Sequence, residues 1–498
     1  MITDLAGWRA RLTPERPALF WRGRWLNYAE LDQRASTLAA RLHAEGVRRG
    51  DRVSILALNH LAHVDLLLAA PKLGFIFAPL NHRLSGAEQH AIGEALTPAL
   101  VLHDRANLAS AEGLGRRLLP LERYAEWLAK PAPAIASPAL DEADTWMILL
   151  TGGSTGTPKG AQIPYRQVFG NAANTVLAWG LREDDCAIQA TPAFHAAVNV
   201  LATPLWFAGG RVVWMENFEP GEYLELVAAQ GASVLFMVPA MFQMLATHAE
   251  FGAADLSRVR FAITGGAPCP PPVCEVFAAR GVRFKLGFGM TECGVNCFAI
   301  DVAEAARHPD SVGHPMPLLE AVIRDEHGAA VPAGTVGELT LRGPVVFSGY
   351  FGAPDATREM IRDGWLWTGD LARRDADGRH FICGRRKEMY ISGGENVYPA
   401  EVEAALSQCR GVAECAVIGV PHPRWGETGL AAVVARAGAR LDAETLRLEL
   451  KQRLASYKLP GEFVFMDALP RTGAGKVAKV ELRRLTHAQA IVAGGAAR

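Results

Sequence analysis

Between residues 28 and 80 the chain alternates between two apolar patterns, and this alternation restricts its fold more than any other feature. Tyr28, Leu31, Ala35, Leu38 and Leu42 recur at spacings of three and four, which places them on one helix face. Gly46 follows where a C-cap needs a residue tolerant of the left-handed region. Residues 52–56 then read as a short buried strand, 62–72 as a second apolar helix and 75–80 as another strand. Such a series packs as a mostly parallel sheet with helices on both faces. It resumes over 185–287, after a proline- and alanine-rich linker at 131–138 and an apolar strand at 146–150. Beyond about Val312 short alternating runs such as 337–342 and 379–383, with Gly and Asp turns, predict small β-structure. Near the end, residues 399–407 read as a helix with Pro at its first position and 416–420 as a strand. Leu446, Leu450 and Leu454 mark a further helix, so this region reads as a separate small α+β unit.

Composition removes several classes of function. Lys and Arg number 51 against 52 Asp and Glu, a net charge of -1, which excludes a strongly basic nucleic-acid binder. No apolar stretch approaches the ~18 residues of a membrane span. The best candidate, 200–210, contains Pro204, is stopped by Arg211 and reads as buried core. The early Asp4 and the lack of an apolar leader argue against a secretory signal. None of the eight cysteines forms a C-x-x-C pair, and no His or carboxylate pattern completes a zinc site around Cys293 and Cys297. All eight are expected to be free thiols in a reducing cytoplasm. Glycine (49) and proline (30) stay together below the ~25–30% of low-complexity disorder, so the glycine serves local purposes.

The densest cluster follows the apolar strand at 146–150. Thr151-Gly152-Gly153-Ser154-Thr155-Gly156-Thr157-Pro158-Lys159-Gly160 holds four glycines, four hydroxyl side chains and one lysine in ten residues. Glycines let backbone N–H groups approach an anion closely, hydroxyls add donors and Lys159 adds a mobile charge. By composition this is a cradle for a polyphosphate. It lacks the G-x-x-x-x-G-K-[ST] spacing of a Walker A loop.

This loop resembles the signature loop of the adenylate-forming superfamily, which comprises acyl- and aryl-CoA synthetases, luciferases and peptide-synthetase adenylation domains. The resemblance recurs in order. Pro192-Ala193-Phe194-His195 resembles the gate motif, Gly265-Gly266-Ala267-Pro268 the adenine-binding turn, and Gly287-Phe288-Gly289-Met290-Thr291-Glu292 the aromatic-Gly-x-Thr-Glu segment. Trp367-Thr368-Gly369-Asp370, Gly384-Arg385-Arg386-Lys387-Glu388, Gly393-Gly394-Glu395-Asn396-Val397-Tyr398-Pro399 and Pro470-Arg471-Thr472-Gly473-Ala474-Gly475-Lys476 complete the series. Two positions depart from the family pattern. Phe288 replaces the usual Tyr, keeping a stacking ring without its hydroxyl, and Gly152-Gly153 replaces a Ser-Gly pair.

The resemblance implies a fold and a reaction. The fold is α/β: a large N-terminal domain of α/β subdomains with a small β-barrel-like part over 1–386, then a small mobile α+β domain over 387–498, hinged at Lys387. In the reaction a carboxylate attacks the α-phosphate of ATP to give acyl-adenylate and pyrophosphate, and CoA then takes the acyl group and releases AMP. Because an anion attacks a polyanion, charge neutralisation is the main task. The implied catalytic residues are Lys476, Glu292 and Thr291, with Glu292 and, more weakly, Thr151 as ligands of Mg²⁺. The implied ATP and AMP contacts are Thr151, Ser154, Thr155, Gly156, Thr157, Lys159, Gly265, Gly266, Ala267, Pro268, Phe288, Gly289, Met290, Asp370 and Arg385. Arg386 suits a solvated surface position. His195 and Gly287 belong to the acyl pocket, and Gly394 and Trp425 to the CoA path.

The acid is less constrained. Ala196, Ala197, Val198, Gly294 and Val295 offer small apolar walls, with Asn296 the one polar neighbour. No Arg or Lys stands in these segments to read a second carboxylate, and no spare acidic residue to read an amino group. Medium- to long-chain fatty acids rank first by resemblance and aryl acids of cinnamate or benzoate type second. Behind these come a carrier-protein-loading enzyme and an inactive nucleotide-binding regulator. Expected partners are the carboxylic acid and CoA, with peripheral membrane contact and a homodimer left open.

Overall fold

The computed structural model describes residues 3–114, 117–151, 158–266, 269–471 and 477–486. The chain divides into two compact units, one of residues 1–321 with 340–367, the other of 322–339 with 368–498.

The first unit holds two large sheets. In one, Leu118–Pro120, Leu100–His103, Arg52–Leu56, Ile76–Pro79 and Thr145–Thr151 run parallel. Lys159–Pro164 and then Gly349–Tyr350 extend its edge antiparallel. In the other, Phe284–Lys285, Phe261–Thr264, Val234–Met237, Cys186–Gln189, Arg211–Trp214 and Pro17–Trp21 are parallel, and Arg24–Asn27 closes the edge antiparallel. The helix Tyr28–Ala44 buries the five residues named from its period and starts on an Asn27–Glu30 capping box. The second helix runs Leu61–Leu73 and ends on Gly74 at φ +80°. Asn59 ties the two sheets, its Nδ2 donating to Thr191 O and to Met215 O, both at 3.0 Å.

The glycine-rich segment joins two antiparallel strands, Thr145–Thr151 and Lys159–Pro164, and so is the loop of a β-hairpin.

The second unit is built on the ribbon of Val412–His422 and Gly426–Ala435, flanked by Tyr390–Ser392 and by the parallel strand Glu462–Phe465. Its core includes Val402, Leu406, Val417, Val433, Leu446 and Leu450. The division differs from a boundary at 386/387. The chain passes between units within Glu320–Arg324, Gly337–Arg342 and Trp365–Arg374. Antiparallel pairing of Asp370 with Arg385 and Leu371 with Gly384 keeps 380–385 with 368–374. Thr368 Oγ1 donates to Leu339 O at 2.7 Å and Arg386 pairs with Glu338 at 2.8 Å, which brings 322–339 into the same unit. Arg386 is thus ion-paired rather than merely solvated. Among the described residues no helix is long and apolar enough to cross a membrane.

Trp146 is fully buried, stacks on Tyr165 at 5.0 Å and on Phe169 at 5.7 Å, and donates from Nε1 to Leu67 O at 2.8 Å. Trp146→Ala is expected to cost about 3–5 kcal/mol, read as a fall in the melting temperature of the first unit by calorimetry.

Candidate active site

In the first unit the hairpin strands carry Thr151 and Lys159 to adjacent paired positions, and Thr151 Oγ1 donates to Lys159 O at 3.4 Å. On the far side of Lys159–Pro164, Tyr350 pairs with Ala161. The Lys159 ammonium lies 5.4 Å from the centre of the Tyr350 ring, a cation–π contact. The Tyr350 hydroxyl donates to Glu292 Oε1 at 2.8 Å. Glu292 is buried, and its backbone O accepts from Phe347 N at 2.9 Å. Gln167 Nε2 donates to Thr291 O at 2.8 Å. The structure thus joins Thr151, Lys159 and Glu292 through Tyr350, and Gln167 holds the Thr291 carbonyl; the sequence singled out neither Tyr350 nor Gln167. Just before Tyr350 the backbone is constrained at Gly349, whose φ is +123° and where a Cβ would lie 2.5 Å from Thr357 Cγ2.

The segment around Glu292 is shaped by close backbone approach. Gly287 and Phe288 pair antiparallel with Ala299 and Phe298, and a Cβ on Gly287 would lie 2.7 Å from Phe298 O. A Cβ on Gly289 would lie 1.8 Å from Val295 O, so only glycine fits. Met290 O accepts from both Cys293 N and Val295 N at 3.0 Å. Gly294 and Val295 have φ of +61° and +40°. For β-branched Val295 the left-handed region costs about 1–3 kcal/mol, which the surrounding contacts must over-determine. Those contacts include Asn296, whose Nδ2 donates to Thr175 Oγ1 at 2.8 Å and to Val200 O at 3.0 Å. Asn296 therefore commits its amide N–H groups to locking the loop. The Phe288 ring meets Phe298 edge-on at 6.0 Å.

Gly265 follows the strand Phe261–Thr264, and a Cβ there would lie 2.7 Å from the Phe236 ring; Gly266 has φ +82°. His195 precedes the short helix Ala196–Asn199, its ring 4.4 Å from that of Phe194. It lines a narrow cavity with His63, Met147, Val198, Asn199 and Trp214. Ser154, Thr155, Gly156, Thr157, Ala267, Pro268 and Lys476 lie outside the described residues.

In the second unit Asp370 is buried and pairs with Arg385, Oδ1 to Nε, at 2.8 Å across the strands. Lys387 is exposed in the turn Arg386–Glu388. Lys479 bridges Glu388 and Glu403, each at 2.8 Å. Burial works against its charge, but the two carboxylates outweigh that and raise its pKa. Gly394, with φ +88°, has open space where a Cβ would stand. Beside it, Gly393 N donates to Trp425 O at 2.9 Å, a Cβ on Gly393 would lie 3.2 Å from the half-exposed Trp425 ring, and Arg424 stacks over that ring at 4.4 Å. Gly393 and Trp425 thus form one patch, with Gly394 next to it in the chain.

The donor set suits Mg²⁺. Glu292 Oε1 is held by Tyr350, while Oε2 makes no hydrogen bond among the described residues. Nor does any cluster of three or more His, Cys, Asp or Glu there form a closed metal cage. Mg²⁺ characteristically takes one or two carboxylates and completes its shell with phosphate oxygens and water.

The model of the AMP-binding enzyme family matches residues 7–351, and that of its C-terminal domain matches 401–476. The chain is 40% identical over 479 residues to a feruloyl-CoA synthase from Amycolatopsis sp, covering 96% of this chain and 97% of the relative. It is 33% identical to an indoleacetate–CoA ligase from Aromatoleum aromaticum, covering 97% and 98%. Among solved structures, o-succinylbenzoate CoA synthetase from Bacillus subtilis with its acyl-adenylate superposes with a TM-score of 0.88 at 29% identity, covering 96% and 97%. The same enzyme has been solved with ATP and a magnesium ion. The chain belongs to the AMP-binding enzyme family. Within that family it is an AMP-forming acid–thiol ligase, working through an acyl-adenylate with ATP, Mg²⁺ and CoA.

Because even a methyl group at position 289 would displace the loop carrying Thr291 and Glu292, Gly289→Ala is expected to lower ATP–pyrophosphate exchange by about 100-fold or more, the scale set by ångström-level misplacement. Exchange at the wild-type rate in the folded variant would contradict the close approach.

Proposed function

We propose that the protein is an aryl acid–CoA ligase for cinnamate-type acids, and that the residues above divide the two half-reactions as follows. The observation that carries the substrate class is the 40% identity, across nearly the whole of both chains, to an enzyme named for ferulate. The 33% identical relative is named for another aromatic acid. Fatty acids, ranked first from the sequence, therefore take second place.

In the first half-reaction Lys476 offsets charge between the attacking carboxylate and the α-phosphate, and Thr291 donates to that phosphate. The 151–160 loop, with Lys159, holds the β- and γ-phosphates. Gly265, Gly266, Ala267, Pro268 and Phe288 hold adenine, while Gly289 and Met290 shape the turn leading to Thr291. Asp370 accepts from the ribose hydroxyls, with Arg385 fixing its carboxylate. When bound, Mg²⁺ is held by Glu292 and Thr151 and offsets phosphate charge. For the second half-reaction the C-terminal part turns about Lys387, so that one site serves two reactions. His195 and Gly287 border the acyl group, and Gly394 and Trp425 border the incoming pantetheine. A cytoplasmic location fits eight free thiols and these soluble co-substrates.

CoA-dependent AMP release across acetate, palmitate, benzoate, cinnamate and ferulate tests the substrate class. Ferulate or cinnamate should exceed palmitate in kcat/KM by about 10-fold or more, and the reverse order would restore the fatty-acid reading. Lys476→Ala should abolish pyrophosphate release from ATP yet still convert supplied acyl-adenylate to the thioester. Undiminished pyrophosphate release would remove Lys476 from the first step. Gly394→Leu should accumulate acyl-adenylate with little thioester, and equal loss of both half-reactions would remove Gly394 from the CoA path.

A further inference from the structure

Glu292 and Lys159 carry opposite charges and contact the same side chain, yet they form no ion pair with each other. The carboxylate takes the Tyr350 hydroxyl at 2.8 Å, while the ammonium stands over the Tyr350 ring, 5.4 Å from its centre. Among the described residues neither charge is paired with any other side chain. Opposite charges shielded from water attract strongly, so a pair left unmade at this range needs a physical reason.

Tyr350 supplies one. It is 8% exposed and held from several directions. Its backbone pairs with Ala161, and its N–H donates to Thr357 Oγ1 at 2.8 Å. Its ring meets that of Phe347 edge-on at 5.0 Å. The same short segment fastens the backbone on both sides: Phe347 N donates to Glu292 O at 2.9 Å, and Phe351 N donates to Gly160 O, next to Lys159, at 2.8 Å. The two contacts made by the Tyr350 side chain also leave both charges intact. A neutral hydroxyl orients a carboxylate without cancelling its charge, and a buried carboxylate in that state still calls for a cation. A ring face retains an ammonium without neutralising it.

We infer that Tyr350 is a positioning residue that keeps Lys159 and Glu292 apart, so that the ammonium stays available to phosphate oxygens and the carboxylate to a divalent cation. The inference rests on the roles proposed above for Glu292 and Lys159 and goes beyond them, since it divides one side chain into two functions. The hydroxyl orients the carboxylate, and the ring retains the ammonium. Tyr350→Phe deletes the hydroxyl and keeps the ring. Tyr350→Leu deletes both and leaves the two charges free to pair.

The test uses the full-length protein with ATP and no acid, so that nothing turns over. Mn²⁺ binding to the enzyme–ATP complex is read from the electron paramagnetic resonance of free Mn²⁺, and metal-free ATP binding in EDTA by calorimetry. Tyr350→Phe should weaken Mn²⁺ binding by about 10-fold or more and spare metal-free ATP binding. Tyr350→Leu should weaken Mn²⁺ binding at least as much and also weaken metal-free ATP binding by about threefold or more. A role confined to packing would lower the two affinities together in both variants. That result, or wild-type Mn²⁺ affinity in Tyr350→Phe, overturns the inference. Equal metal-free ATP affinity in the two variants overturns it as well, since the ring would then do nothing for Lys159. Should Tyr350→Leu not fold, Tyr350→Met removes the same ring and hydroxyl with a more adaptable side chain. Glu292→Gln and Lys159→Met, run alongside, test the roles underneath. If Glu292→Gln keeps wild-type Mn²⁺ affinity, or Lys159→Met keeps wild-type metal-free ATP affinity, that role falls and the inference with it. If both lose binding while the Tyr350 variants do not, the inference falls alone.

Discussion

The strand Lys159–Pro164 hydrogen-bonds on both edges, to Thr145–Thr151 before the glycine-rich loop and to Gly349–Tyr350 some two hundred residues later. That double pairing is the constraint on which the first unit's site depends. It holds Thr151 at one side of Lys159 and the Tyr350 ring at the other, and Tyr350 in turn holds Glu292. A hydrogen bond to a buried carboxylate is worth more than one between neutral groups, about 1.5–3 kcal/mol. The contact orients the Glu292 carboxylate.

Around Glu292 the backbone itself sets the geometry. Gly289 accepts no side chain against Val295 O, and Val295 is kept in the left-handed region by Met290 O and by the buried side chain of Asn296. Strain of this kind persists where neighbouring contacts over-determine the fold. The second unit uses charge pairs in the same way: Arg385 fixes Asp370, Arg386 fixes Glu338, and Lys479 ties Glu388 to Glu403.

Local pattern was legible where one element's own residues decide it. The helix Tyr28–Ala44, the strands Arg52–Leu56 and Gly337–Arg342 and the helix Pro399–Ser407 follow from period and capping. The motifs singled out Glu292, Asp370 and Gly394 as candidates, because residue types at short spacing are visible in a sequence. Tyr350 left no such trace, since its role comes from strand pairing at long range. Asn296 shows the same limit: the sequence places it beside Glu292, and only the tertiary structure turns its amide onto Thr175 and Val200.

By itself, the sequence determined the α/β alternation, the adenylate-forming chemistry and the positions of the glycines, because each depends on backbone torsion and residue type over a few neighbours. The tertiary structure alone decided that the glycine-rich segment closes a hairpin, that Tyr350 carries Lys159 to Glu292, and that 322–339 joins the second unit. Contacts between residues so far apart are set by sheet order and side-chain packing, which no local window contains.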